Sequence, residues 1–170
     1  YDVSDQAGNK AVQITRKIIV QEDGPTDNYS SWIAENGLAA LSADKQTLDA
    51  DPDGDGLANL LEYALGKNPV AADTIGITAD TSSGSLSITF IRVKASIDTT
   101  LTYKVELATT LSDWAEANVT LTGALQGVDQ AGLPDGNDFA TSKYERVKAT
   151  ADTDMAGSSG KQFLRMTVEK

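Results

Sequence analysis

At 170 residues, 40% hydrophobic and 23% charged, the chain is sized and composed for one or two soluble folded units, and no stretch reaches the ~20 apolar residues that cross a bilayer. Its 14 basic against 25 acidic residues give a net charge of −11, which argues against a nucleic-acid partner, because gripping phosphates takes clustered Lys and Arg. Neither Cys nor His occurs, which excludes disulfides, thiolate or imidazole metal ligation, and Ser-His-Asp or Cys-His nucleophilic catalysis.

The chain opens at Tyr1 without Met and without a basic-then-apolar leader, so it is expected to be a piece of something longer. Residues 1–22 read as a terminal β-hairpin, with a turn at Asp5-Gln6-Ala7-Gly8-Asn9 and then Val12, Ile14 and the run Ile18-Ile19-Val20. The wording Tyr1-Asp2-Val3-Ser4-Asp5-Gln6-Ala7-Gly8-Asn9-Lys10-Ala11 before a β-branched strand resembles the last strands of bacterial immunoglobulin-like surface domains. Such a hairpin is marginal alone, so it needs the rest of its domain or a neighbouring unit to pack on. Gly24-Pro25 marks a linker. Beyond it, Thr26 or Asp27 can cap a helix whose Tyr29, Trp32 and Ile33 share one face, with Gly37 as its stop.

Residues 51–62, Asp51-Pro52-Asp53-Gly54-Asp55-Gly56-Leu57-Ala58-Asn59-Leu60-Leu61-Glu62, match the EF-hand loop, with Asp at positions one, three and five, Gly at six and Glu at twelve. Calcium takes six to eight hard oxygen ligands at about 2.3–2.6 Å, and alternating Asp residues on a curled backbone aim their carboxylates inward together. The expected ligands are the side chains of Asp51, Asp53 and Asp55, the Leu57 carbonyl, Asn59 directly or through water, and both oxygens of Glu62. Three carboxylates in five residues repel one another without a cation between them; the plainer alternative is a solvated acidic turn. Asp49, just upstream, is either a further ligand or a surface charge. After the loop, Leu57, Leu60, Leu61, Ala64 and Leu65 are spaced as one buried helix face, with Gly66 and Pro69 as the stop and Trp32 and Ile33 as packing partners.

From about residue 74 the signals change to strands: 86–93 and 101–107 alternate with period two, and 119–122, 144–149 and 163–168 continue the series. Strands at this spacing without long helical patterns suggest an antiparallel sandwich of immunoglobulin or fibronectin type. Residues 123–142, rich in Gly, Asp and Asn, read as an extended hairpin tip or functional loop, with a second ion among Asp129, Asp135 and Asp138 as the less simple alternative. Trp114 and Tyr144 are read as core anchors, with exposed sugar platforms as the alternative. Glu106 and Glu145 on strands can be imagined as an acid/base pair, but alternation lets either face solvent and no cleft can be placed for them.

The segment 51–69, ending Asn59-Leu60-Leu61-Glu62-Tyr63-Ala64-Leu65-Gly66-Lys67-Asn68-Pro69, resembles the thrombospondin type 3 and dockerin-like calcium segments of secreted bacterial proteins that precede a terminal β-domain. A second loop, which a true dockerin has, is missing. Residues 103–114 and 163–166 resemble that β-domain more loosely, by pattern.

The resulting expectation is a mainly β chain in three parts: a hairpin at 1–22, a two-helix calcium-binding connector at 23–73, and an antiparallel β-domain at 74–170. It is expected to be a non-catalytic, secreted or cell-surface structural or adhesive module stiffened by calcium. Its expected partners are neighbouring domains of a longer chain and a polysaccharide or cell-surface ligand. A carbohydrate-binding accessory module of a secreted polysaccharide-degrading enzyme is the rival.

Overall fold

The computed structural model describes residues 28–157 and 161–170. The expected hairpin at 1–22, the linker, the Thr26 or Asp27 cap and the turn at Ser158-Ser159-Gly160 lie outside the described residues. The remainder is mostly β, with antiparallel sheets and two short α-helices: α1 (Asn28–Glu35), α2 (Asn59–Leu65), β1 (Thr78–Asp80), β2 (Ser87–Val93), β3 (Thr102–Ala108), β4 (Val119–Thr122), β5 (Tyr144–Ala151) and β6 (Phe163–Glu169). The five expected strands all form, and β1 adds a short edge strand. No helix of the described residues is long and apolar enough to cross a membrane.

Four strands pair in the order β1-β2-β5-β4, and β3 pairs with β6 in a second sheet. Register follows hydrophobic alternation: Ile88 opposes Ala149, and Phe90 opposes Val147. Because successive side chains point to opposite faces, these residues share one face and join Val105 of β3 in a core edged by Leu164 and Met166 of β6. Val93 opposes Tyr144 on the other face, where both enter a second cluster with Tyr29, Trp32, Leu38, Tyr63 and Leu133. The larger sheet is thus covered by β3 and β6 on one side and, at one end, by the helical segment on the other.

Helix α2 joins the two clusters, with Tyr63 in the aromatic one and Leu65 in the sheet core. The rings of Tyr29, Trp32 and Tyr63 meet at 5.5–5.6 Å between centroids, within the range of favourable aromatic pairing. Tyr103 on β3 donates to the Ala64 carbonyl at 2.8 Å and accepts from the Val93 amide at 3.1 Å, so one hydroxyl ties α2 to both sheets. Tyr63 donates to buried Asp98 at 2.7 Å. Asp98 also receives Lys170 Nζ at 2.9 Å; burial opposes its ionisation, but hydrogen bonds from Thr100, Tyr63 and Lys170 outweigh this and hold its carboxyl well below the usual range.

Two sequence expectations change. Leu60 and Leu61 are only half-buried, and the covered face of α2 is instead Asn59, Glu62, Tyr63, Ala64 and Leu65. A leucine spacing identifies an amphipathic helix, but here the helix is clamped between two clusters and the loop, so its polar residues are covered too. Residues 123–142 are no projecting tip. Gln130 pairs through its side chain with the backbone of Arg146 on β5, and Leu133, 4% exposed, inserts into the aromatic cluster.

Gly66 closes α2 at φ 66°, and a Cβ there would lie 2.5 Å from Cγ of Pro134. Gly66→Ala is therefore expected to destabilise the chain by about 2–4 kcal/mol from left-handed strain plus overpacking, measured by denaturant unfolding. Gly66→Ala with Pro134→Gly should recover part of the packing loss, since the Pro134 Cγ and Cβ at 2.5 and 2.9 Å are removed while Tyr144 Cε1 at 3.0 Å and the left-handed strain remain. No loss in the single variant would mean that the α2 end and the Pro134 segment are not in contact.

Candidate metal centre

The loop is shaped first by its own carboxylates. Asp51 accepts the Gly54 amide at 2.8 Å and the Gly56 amide at 3.0 Å. Asp53 accepts from the Asp55 amide at 3.2 Å, and Asp55 from the Leu57 amide at 2.7 Å. Such bonds to backbone a few residues on are what Asp supplies in tight turns. Gly56, at φ 93°, takes the left-handed conformation that the expected sharp turn requires.

One oxygen each from Asp51, Asp53 and Asp55 lies within 4.8 Å of the others. Oxygens on opposite sides of a common calcium stand about 4.6–5.2 Å apart, twice the bond length, so the spacing suits one metal ion among the three. Burial raises the Asp53 carboxyl above its ordinary value, helped by the charges of Asp55 and Asp51. In Asp51 burial is outweighed by the amides of Gly54 and Gly56, and the carboxyl is lowered.

Helix α2 starts at the foot of this loop. The Asn59 amide donates to the Ala50 carbonyl at 2.8 Å and the Leu60 amide to the Leu48 carbonyl at 2.9 Å, closing the loop base. Asn59 Nδ2 donates to the carbonyls of Lys45 and Thr47 at 2.9 and 2.8 Å. Asn59 thus fastens the preceding segment, a role that its place in the motif did not reveal. Leu57 is buried beside it.

Glu62 is fully buried. Both of its carboxyl oxygens, with Asn59 Oδ1 and Asp53 Oδ2, are buried without a hydrogen-bond partner among the described residues. Leaving such an atom unsatisfied costs about 1–3 kcal/mol, and more when it is charged. Burial, then the charges of Asp53, Asp55, Asp73 and Asp51, push the Glu62 carboxyl up to about 8. The metal-sized group is the three aspartates, without Glu62, and a donor set of oxygens alone suits a hard cation.

The other candidates fall elsewhere. Asp49 is exposed and outside the triad. Asp129, Asp135 and Asp138 each cap their own turn, and they form no metal-sized cluster among the described residues. Glu106 pairs with Arg165 at 2.6 Å and Glu145 with Arg92 at 2.8 Å, in separate sheets. Tyr144 is a core residue as expected. Trp114 is not: it is half-exposed, with the Arg165 guanidinium 4.4 Å from its ring centroid.

Sequence reasoning missed Asp73, whose amide donates to the second oxygen of Asp55 at 2.9 Å. No local signal marks it, since only the fold returns the chain past the loop. Comparison with protein-family models, curated proteins and solved structures finds no match.

The raised Glu62 carboxyl fixes the sign of a pH effect. In the metal-free folded chain Glu62 holds its proton up to about pH 8, against about 4.5 when free. Unfolding between those values releases a proton, so stability falls as pH rises. In chelator, the denaturation midpoint is expected to drop from about pH 5 to about pH 8, and Glu62→Gln should remove most of that slope. A flat profile in the parent chain would contradict a partnerless buried carboxyl.

Proposed function

We propose that residues 51–62 bind calcium in the manner of an EF-hand loop, and that the ion braces the joint between the helical segment and an immunoglobulin-like β-sandwich. On this reading the chain is a non-catalytic structural or adhesive module of a secreted or cell-surface protein. Buried Glu62, with no donor for either oxygen beside three converging aspartates, carries the reading. Asp51, Asp53 and Asp55 would supply carboxylate oxygens, Leu57 its carbonyl, Asn59 its Oδ1 or a bridging water, and Glu62 both oxygens. Calcium would offset the burial, and then the repulsion, that otherwise keep Glu62 protonated.

The two sheets sharing one apolar core support the sandwich. The entering side of the loop carries only a short 3-10 turn (Ala43–Gln46) rather than an α-helix. That favours a single-loop segment of the thrombospondin type 3 or dockerin-like kind over a paired EF-hand. Extracellular loops of this type need bind no tighter than about 10⁻⁴–10⁻³ M to be filled outside a cell. A cation bound only by the folded segment stabilises it by mass action.

Calorimetric titration with calcium should give one ion per chain. Thermal melting in calcium at a hundredfold excess over Kd should show about 2.7 kcal/mol of stabilisation relative to chelator. Asp53→Ala should lose it, and Glu62→Gln should gain little from calcium while melting higher than the parent in chelator. Equal melting of the parent with calcium and with chelator would reduce the loop to an acidic turn.

A further inference from the structure

We propose that the cleft between α1, the end of α2 and the segment 133–144 binds one pyranose unit of a neutral saccharide. It goes beyond the calcium reading and does not rest on it.

The cleft measures about 380 Å³, at the lower end of the roughly 300–1,000 Å³ of small-molecule sites. Trp32 and Tyr144 both line it and are 5% and 7% exposed. Among the described residues no hydrogen bond forms from the Trp32 indole N–H or the Tyr144 hydroxyl, and neither atom is among the fully buried unpartnered ones, so both reach solvent at the cleft. Buried Trp and Tyr usually find a partner for these groups, as Tyr63 and Tyr103 do here. Two donors on nine-tenths-buried rings, held by no protein acceptor and reaching one cavity, are placed to meet a ligand with acceptors. Burial, then the charges of Asp135 and Glu35, push the Tyr144 hydroxyl up to about 12, so at neutral pH it remains a donor.

The charges around the cleft are already answered within the protein. Lys143 Nζ meets Glu35 at 2.6 Å and Lys67 meets Asp73 at 3.9 Å. Asp135 accepts from Ser142 Oγ at 2.6 Å and from the Lys143 amide at 2.7 Å. An ionic ligand would have to break one of these arrangements, which a neutral one need not.

The polar groups that remain are mixed in kind. Asn28 and Asn36 donate their amide N–H groups to the carbonyls of Ile97 and Trp32 at 2.6 and 2.9 Å, leaving their side-chain oxygens to accept. A hydroxyl both donates and accepts, so a polyol can answer the open donors and these oxygens together. Val93, Ile97 and Pro134 add an apolar wall against which the C–H face of a sugar ring can lie. A purely aliphatic ligand would leave the indole and phenol groups unpaired, at about 1–3 kcal/mol each. The site differs from an exposed aromatic platform: Trp32 and Tyr144 are nearly buried in the cleft wall, and their ring-borne N–H and O–H groups would do the recognising.

Saturation-transfer NMR on the full chain in calcium buffer would use methyl glycosides of glucose, galactose, mannose and N-acetylglucosamine, with cellobiose. At least one is expected to receive saturation on its ring protons and to shift the indole fluorescence. Tyr144→Phe, which keeps the packed ring and removes only the hydroxyl, should weaken that sugar's Kd about tenfold at unchanged melting temperature. Ser31→Trp, filling the cleft from α1, should abolish binding, while Trp114→Phe should bind like the parent. The proposal is overturned by an absence of transfer to all five sugars. It is equally overturned by binding that survives both Tyr144→Phe and Ser31→Trp, or that is lost only in Trp114→Phe.

Discussion

Glu62 sits where a carboxylate is least at home: fully covered, without a donor among the described residues, near four aspartates that each add to the cost of its charge. The rest of the helical segment is arranged around that cost. A helix of seven residues has almost no stability of its own, and α2 has no side-chain cap at its start. It is held by Tyr63 in the aromatic cluster, Leu65 in the sheet core and the Tyr103 hydroxyl on the Ala64 carbonyl. Packing of those groups on both sides of Glu62 prevents α2 from turning its carboxylate to water. The tension can then be relieved by taking up a proton or by gathering the oxygens around a cation. The proposed calcium site is the second of these outcomes.

The strands were legible because their alternation is a local property. Ile88 and Phe90 against Ala149 and Val147 need only the right register to form a buried face. The loop was legible for a different reason: Asp51, Asp53, Asp55 and Gly56 lie within one short stretch, so the convergence of the three carboxylates and the tight turn follow from spacing. What failed to show was made by tertiary return. Asp73 reaches Asp55 only after the chain has left α2 and turned back. Leu133 enters the aromatic cluster from a segment whose Gly, Asp and Asn content reads as exposed loop. Trp114 misled by composition: a scarce aromatic is expected inside, yet the turn that carries it lies at the edge of β3, where Arg165 covers its ring instead.

Asp73 also makes the loop and the cleft neighbours. Its amide holds Asp55, while its carboxylate faces Lys67 on the cleft wall. A cation that fixes Asp55 would restrict Asp73, and through it the position of Lys67. By thermodynamic reciprocity, a ligand that favours the same placement of Lys67 would tighten the ion by the same factor. The path is short but slender, one hydrogen bond and one loose ion pair at a half-exposed edge, and exposed ion pairs contribute only about 0–1 kcal/mol. Coupling through Asp73 alone is therefore modest. The stronger path runs through α2 itself, since Glu62 and Tyr63 are consecutive and Tyr63 lines the cleft while packing on Trp32. A shift of α2 that accommodated an ion at Glu62 would move Tyr63 against the Trp32 ring on the cleft wall, so on the proposed reading the loop would act on the recess chiefly through where the helix lies.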